Sequence, residues 1–127
     1  MIVPPIVEDL ATAQDISLIL ENIAKNDEQL IYGLTGVQKN ILFSLIGYQH
    51  EQSMLIVCES PQRAKEVWDD LNYLLPDYEV LYFPALEVIP FEVLAQSIEI
   101  QRQRLQVLAS LVQGKKVVVV CPVEALA

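Results

Sequence analysis

The chain has 127 residues, with 8 Lys or Arg against 17 Asp or Glu and a formal net charge of −9. Hydrophobic residues make up 53% of it, with only 4 Gly and 7 Pro, which excludes a disordered or low-complexity chain. The acidic balance argues against a segment that grips DNA or RNA by itself, since backbone binding needs a basic surface that releases counterions, and against an anionic membrane surface as well.

The length suits one domain with one core. No stretch approaches the roughly 20 consecutive apolar residues of a membrane span. Met1-Ile2-Val3-Pro4-Pro5 lacks the basic and apolar runs of a signal peptide, so a cytoplasmic location is expected. Cys58 and Cys121 are too few for a disulfide framework and end apolar runs, as small buried residues do. The one histidine, His50, sits in the polar stretch Tyr48-Gln49-His50-Glu51-Gln52 and reads as a solvated loop residue. One His and two Cys do not make a structural zinc site.

In chain order, Ile16, Ile19, Leu20 and Ile23 have helical spacing and predict a first helix over 12–25. Leu30-Ile31-Tyr32 is a short apolar run ending at Gly33, the pattern of a strand. Val37, Ile41, Leu42, Leu45 and Ile46 share a helical face over 37–48. Met54-Leu55-Ile56-Val57-Cys58 is continuously apolar, as a strand covered on both faces would be. Ser60 can cap the next helix, and Pro61 suits its first turn, where a missing N–H costs nothing. Its inward stripe is Ala64, Val67, Trp68, Leu71, Leu74 and Leu75, with Glu66, Asp69 and Asp70 toward water.

Pro76-Asp77 stops that helix, and Val80-Leu81-Tyr82-Phe83 predicts a strand ending at Pro84. Residues 84–96 read as an irregular connection. A helix over 97–113 turns Leu105, Leu108 and Val112 inward and ends at Gly114. The four valines 117–120 predict a buried strand. Val123-Glu124-Ala125-Leu126-Ala127 then begins a helix that breaks off, so a truncated piece of a longer protein is expected. The expected order, α-β-α-β-α-β-α-β, implies an α/β fold with a mostly parallel sheet and helices on both faces. Residues 1–28 form the lead-in with the first helix, and 29–127 the lobe.

One motif carries chemistry. Gly33-Leu34-Thr35-Gly36-Val37-Gln38-Lys39-Asn40 lies between a predicted strand and a predicted helix, where a phosphate-binding loop of pattern G-x-x-x-x-G-K-[ST] would sit. Gly33 and Lys39 fit. Gln38 replaces the glycine that lets backbone N–H groups close around phosphates, and Asn40 replaces the hydroxyl that holds Mg²⁺. The acidic partner is missing too: the valine strand ends in Cys121, and Cys58-Glu59 puts Cys at the metal-binding position. Three readings follow: a live nucleotide site, a relic loop that keeps its fold, and a chance match.

Several segments together resemble the N-terminal UvrB-like module of the bacterial transcription-repair coupling factor (Mfd) family. They are Gly33-Leu34-Thr35-Gly36 with Lys39; Tyr82-Phe83-Pro84 with Glu87, Pro90, Phe91 and Glu92, similar to P-x-x-E-x-x-P-[YF]-[DE]; Ser97 and Glu99 with Arg104-Leu105, similar to S-P-E…R-L; and Val118-Val119-Val120-Cys121-Pro122-Val123. Ile98 stands where the family has Pro. The resemblance covers 29–126. It implies the first lobe, P-loop or RecA-like and akin to UvrB domain 1a, of a cytosolic factor that displaces stalled RNA polymerase with ATP and recruits UvrA. In that family ATP and Mg²⁺ belong to a separate motor, and the UvrA and polymerase contacts to other domains. The resemblance thus implies a non-catalytic scaffold without a cofactor of its own, contacting adjoining domains. UvrB's DNA-clamping hairpin emerges near the region of 84–96; here that stretch is short, so no DNA clamp is expected, and Ile89 and Phe91 read as core contacts. The alternatives are a nucleotide-binding lobe of a helicase-like enzyme, with Lys39 on a phosphate, and a free-standing acidic protein-binding α/β domain.

Overall fold

A computed structural model of the chain describes residues 14–26, 28–34, 36–50, 52–86 and 94–127. The elements are α1 (Gln14–Ala24), α2 (Val37–His50), β1 (Met54–Cys58), α3 (Pro61–Leu74), β2 (Glu79–Tyr82), α4 (Leu94–Val112), β3 (Val117–Pro122) and a 3₁₀ turn, η1 (Val123–Leu126). The three strands form one parallel sheet in the order β1-β3-β2. This is the α/β architecture expected. No helix among the described residues is long and apolar enough to cross a membrane.

The centre of the sheet is β3. Each of its residues is buried, Val117, Val118, Val120 and Cys121 completely. Val118 pairs with Met54 on one side and Val80 on the other. Because parallel strands need crossovers, the faces are covered by the connecting helices. One face packs Ile56, Cys58, Val80, Val118 and Val120 against Ala64, Val67 and Leu71 of α3. The other packs Val117 and Val119, with Leu81 and Phe83, against Val107 of α4. Ser53 ties two strand starts together: its hydroxyl accepts from Val117 N at 3.2 Å and donates to Lys115 O at 3.3 Å.

The helix α3 forms as its sequence dictates. Ser60 is extended, its Oγ accepts from Arg63 N at 3.1 Å, and Pro61 occupies the first turn. Replacing Ser60 with Ala removes this cap and is expected to cost about 1 kcal/mol, measurable as a lowered urea midpoint. A midpoint unchanged within error would show that the cap contributes nothing. Trp68 flanks the core half-buried, its indole N–H donating to Val80 O at 3.0 Å. On the other side of α3, α2 docks through Leu45 against Leu74, with Ile16 of α1 alongside. Tyr48 Oη donates to Leu74 O at 2.8 Å, and Tyr78 Oη donates to Gly47 O.

Several sequence expectations need correction. Leu30-Ile31-Tyr32 is not a strand: it has no regular structure, and Leu30 and Tyr32 are 87% and 86% exposed. Apolar residues become a strand only by pairing, and none of the described strands pairs with this run. On β1, Leu55 and Val57 are exposed, so only one of its faces is covered. Val37 is exposed rather than part of the inward face of α2. In α4, Leu105, Leu108 and Val112 are exposed, and among the side chains described the buried one is Val107. That helix begins at Leu94, three residues earlier than expected. His50 is no loop residue: it ends α2, half-buried, with Nε2 3.1 Å from Leu20 O, and so links α2 to α1. Asp70 is turned into the helix seam rather than toward water. Glu87, Ile89, Pro90, Phe91 and Glu92 lie outside the described residues.

Candidate functional site: the loop before α2

The loop from Gly33 runs into the first turn of α2. Gly33 has φ +86° and Gly36 has φ +54°, left-handed values that glycine adopts without the strain of a Cβ. The sequence therefore supplies glycine where the backbone reverses. Gln38 and Lys39 follow in the first turn of α2 and are exposed. Thr35 lies outside the described residues.

Asn40 departs from this pattern. It is 1% exposed, and its Nδ2 donates to Asp70 Oδ2 across the seam between α2 and α3. Its Oδ1 is buried with no hydrogen-bond partner among the described residues. Leaving such an acceptor unsatisfied costs about 1–3 kcal/mol. Ser44, one turn on and fully buried, donates its hydroxyl to Ile41 O at 2.6 Å. The residue at the hydroxyl position of the motif is thus engaged with a neighbouring helix, while Lys39 beside it faces solvent.

The strand ends bring no carboxylate to the positions occupied by cysteine. Cys58 and Cys121 are buried free thiols, and burial raises the pKa of both, which keeps them protonated and poor metal ligands. Both are the buried cysteines the sequence suggested. Glu59 is exposed. Among the described residues no three His, Cys, Asp or Glu side chains converge as a metal site. A cavity of about 590 Å³ lies between α3, β2 and α4, lined by Pro61, Lys65, Trp68, Tyr82 and Gln103 among others; none of the described residues of the loop before α2 lines it.

Sequence reasoning missed Asp70 and Arg104. Arg104 of α4 reaches the C-terminal end of β2. Its guanidinium lies 4.2 Å from the Phe83 ring centroid and donates to Pro84 O at 2.7 Å and Ala125 O at 3.2 Å. The Arg104-Leu105 pair was noted only for its resemblance. A lone arginine gives no local sign that its partners are carbonyls 20 and 21 residues away.

No protein-family model matches the sequence, and no solved structure matches it. Among curated proteins it is similar to the transcription-repair-coupling factor of Bacillus subtilis (strain 168), with 34% identity over 99 residues, or 78% of this chain. The match spans 8% of the length of that factor. Over most of its length, then, this chain is a relative of one segment of the transcription-repair-coupling factor.

Proposed function

We propose that the chain is a non-catalytic scaffold lobe of a transcription-coupled DNA repair factor, built on a degenerate, UvrB-like phosphate loop. The observation that carries the proposal is Asn40: the side chain at the metal-binding position is buried against α3 and bonded to Asp70. Gln38 in place of glycine and Cys121 in place of an acid point the same way. The lobe's work is to position the domains that adjoin it. Displacement of RNA polymerase, recruitment of UvrA, and ATP and Mg²⁺ chemistry belong, in this proposal, to other parts of a cytoplasmic parent protein. A second reading, a nucleotide-binding lobe, draws on Gly33, Gly36 and exposed Lys39 at the start of α2.

Isothermal titration with Mg-ATP separates the two. The scaffold reading expects no binding, or binding weaker than millimolar. A dissociation constant in the low micromolar range would overturn it and favour the second.

A further inference from the structure

We propose that Asn40 and Asp70 form an interhelical latch that fixes the first turn of α2 on α3 and holds the side chain at the loop's metal position shut away from any bound phosphate. The inference rests on the scaffold reading and goes beyond it, because it names a residue outside the loop, Asp70, as one of the groups that keep the loop inactive.

Three observations carry it. The amide of Asn40 is almost completely buried, yet among the described residues it makes a single side-chain hydrogen bond, from Nδ2 to the Asp70 carboxylate 30 residues later. Its Oδ1 has no partner among the described residues, so the residue occupies the seam at a cost that an apolar side chain would avoid. An apolar contact would also slide or rotate, whereas a directional bond to a carboxylate defines one rotation of α2 on α3. Gln38 and Lys39 lie within two residues of the latch, so that rotation sets where the loop's remaining polar groups stand.

Double-mutant analysis of the 127-residue chain tests the pairing. With Asn40→Ala, Asp70→Ala and the double variant, the unfolding constant of the double is expected to fall at least about fivefold short of the product of the singles. Amide exchange of Ile41–Leu45, whose N–H groups have an acceptor one turn back in α2, should quicken in either single variant while β3 stays protected. Asp70→Asn, which keeps an acceptor and the shape, should restore most of that protection. Mg-ADP titration tests the shutting. Against Gln38→Gly alone, Gln38→Gly with Asp70→Ala should bind at least about fivefold more tightly, and only when Mg²⁺ is present. Multiplicative unfolding constants, uniformly faster exchange throughout the chain, or equal Mg-ADP affinity in the two variants would each overturn the latch. The scaffold reading fails on a different result, tight Mg-ATP binding by the unaltered chain, which leaves the coupling measurement intact.

Discussion

Leu71→Ala is expected to lower the stability of this chain by about 3 kcal/mol, within the range of roughly 2–5 kcal/mol for emptying a fully buried leucine site. Leu71 has no exposed surface and sits among Ile56, Val67, Leu75, Val80, Val118 and Val120, where α3 meets the sheet. Removing its isobutyl group takes away the transfer energy of the buried methyl and methylene groups. It also leaves a void bounded by β-branched residues with little rotamer freedom to fill it. Against a typical total of roughly 5–15 kcal/mol, this is a large share. In urea the midpoint should fall by about 1–3 M with an unchanged slope, since the surface exposed on unfolding hardly alters. A loss below about 1 kcal/mol would mean that this side of the core is loosely packed.

Arg104→Ala is the second large effect, with an expected cost of about 2–3 kcal/mol. The arginine closes one end of the sheet by donating to carbonyls on two separate segments, Pro84 after β2 and Ala125 in η1. Hydrogen bonds from a charged donor contribute about 1.5–3 kcal/mol each, lessened here because the side chain is only half-buried, and the contact with Phe83 adds about 0.5–1 kcal/mol. Arg104→Lys should recover only part of the loss: both carbonyls accept from the one nitrogen Nη1, but an ammonium group cannot stack flat on the Phe83 ring. Amide exchange in η1 should report the same damage locally. If lysine served as well as arginine, the stacking on Phe83 would be irrelevant and the positive charge alone would be responsible.

These two residues mark the boundary of what was legible in the sequence. The place of Leu71 follows from local pattern: the cap at Ser60, the proline at 61 and the stripe from Ala64 to Leu75 specify both the helix and its buried face. The four valines of β3 are equally explicit, since a continuous β-branched run suits only a strand covered on both sides. Arg104 is different. Reading α4 by hydrophobicity selects Leu105 and Leu108, yet the side turned to the sheet carries Arg104 and Val107, because carbonyls supplied by distant segments accept the guanidinium. The candidate site divides the same way. Gly33, Lys39 and the substitutions at 38 and 40 are visible as spacing in a motif. The burial of Asn40 is not, because it depends on which residue of α3 packs opposite. Leu30-Ile31-Tyr32 failed for a related reason: strand propensity is a statement about pairing, and the partner is not written in the run itself.

The strand order β1-β3-β2 also has a consequence for how the chain comes into being. Among the described strands β1 and β2 do not pair with each other; each pairs with β3, the last of the three to be made. During synthesis at roughly 5–20 residues per second, the ribosome therefore releases β1 several seconds before Val117 exists to receive it. In that interval the helix pair α2–α3 can assemble, but the apolar edges of β1 and β2 wait unpaired, open to foreign strands. The pairing of these strands needs the four valines that stand between them, so a nascent chain halted before β3 lacks this sheet.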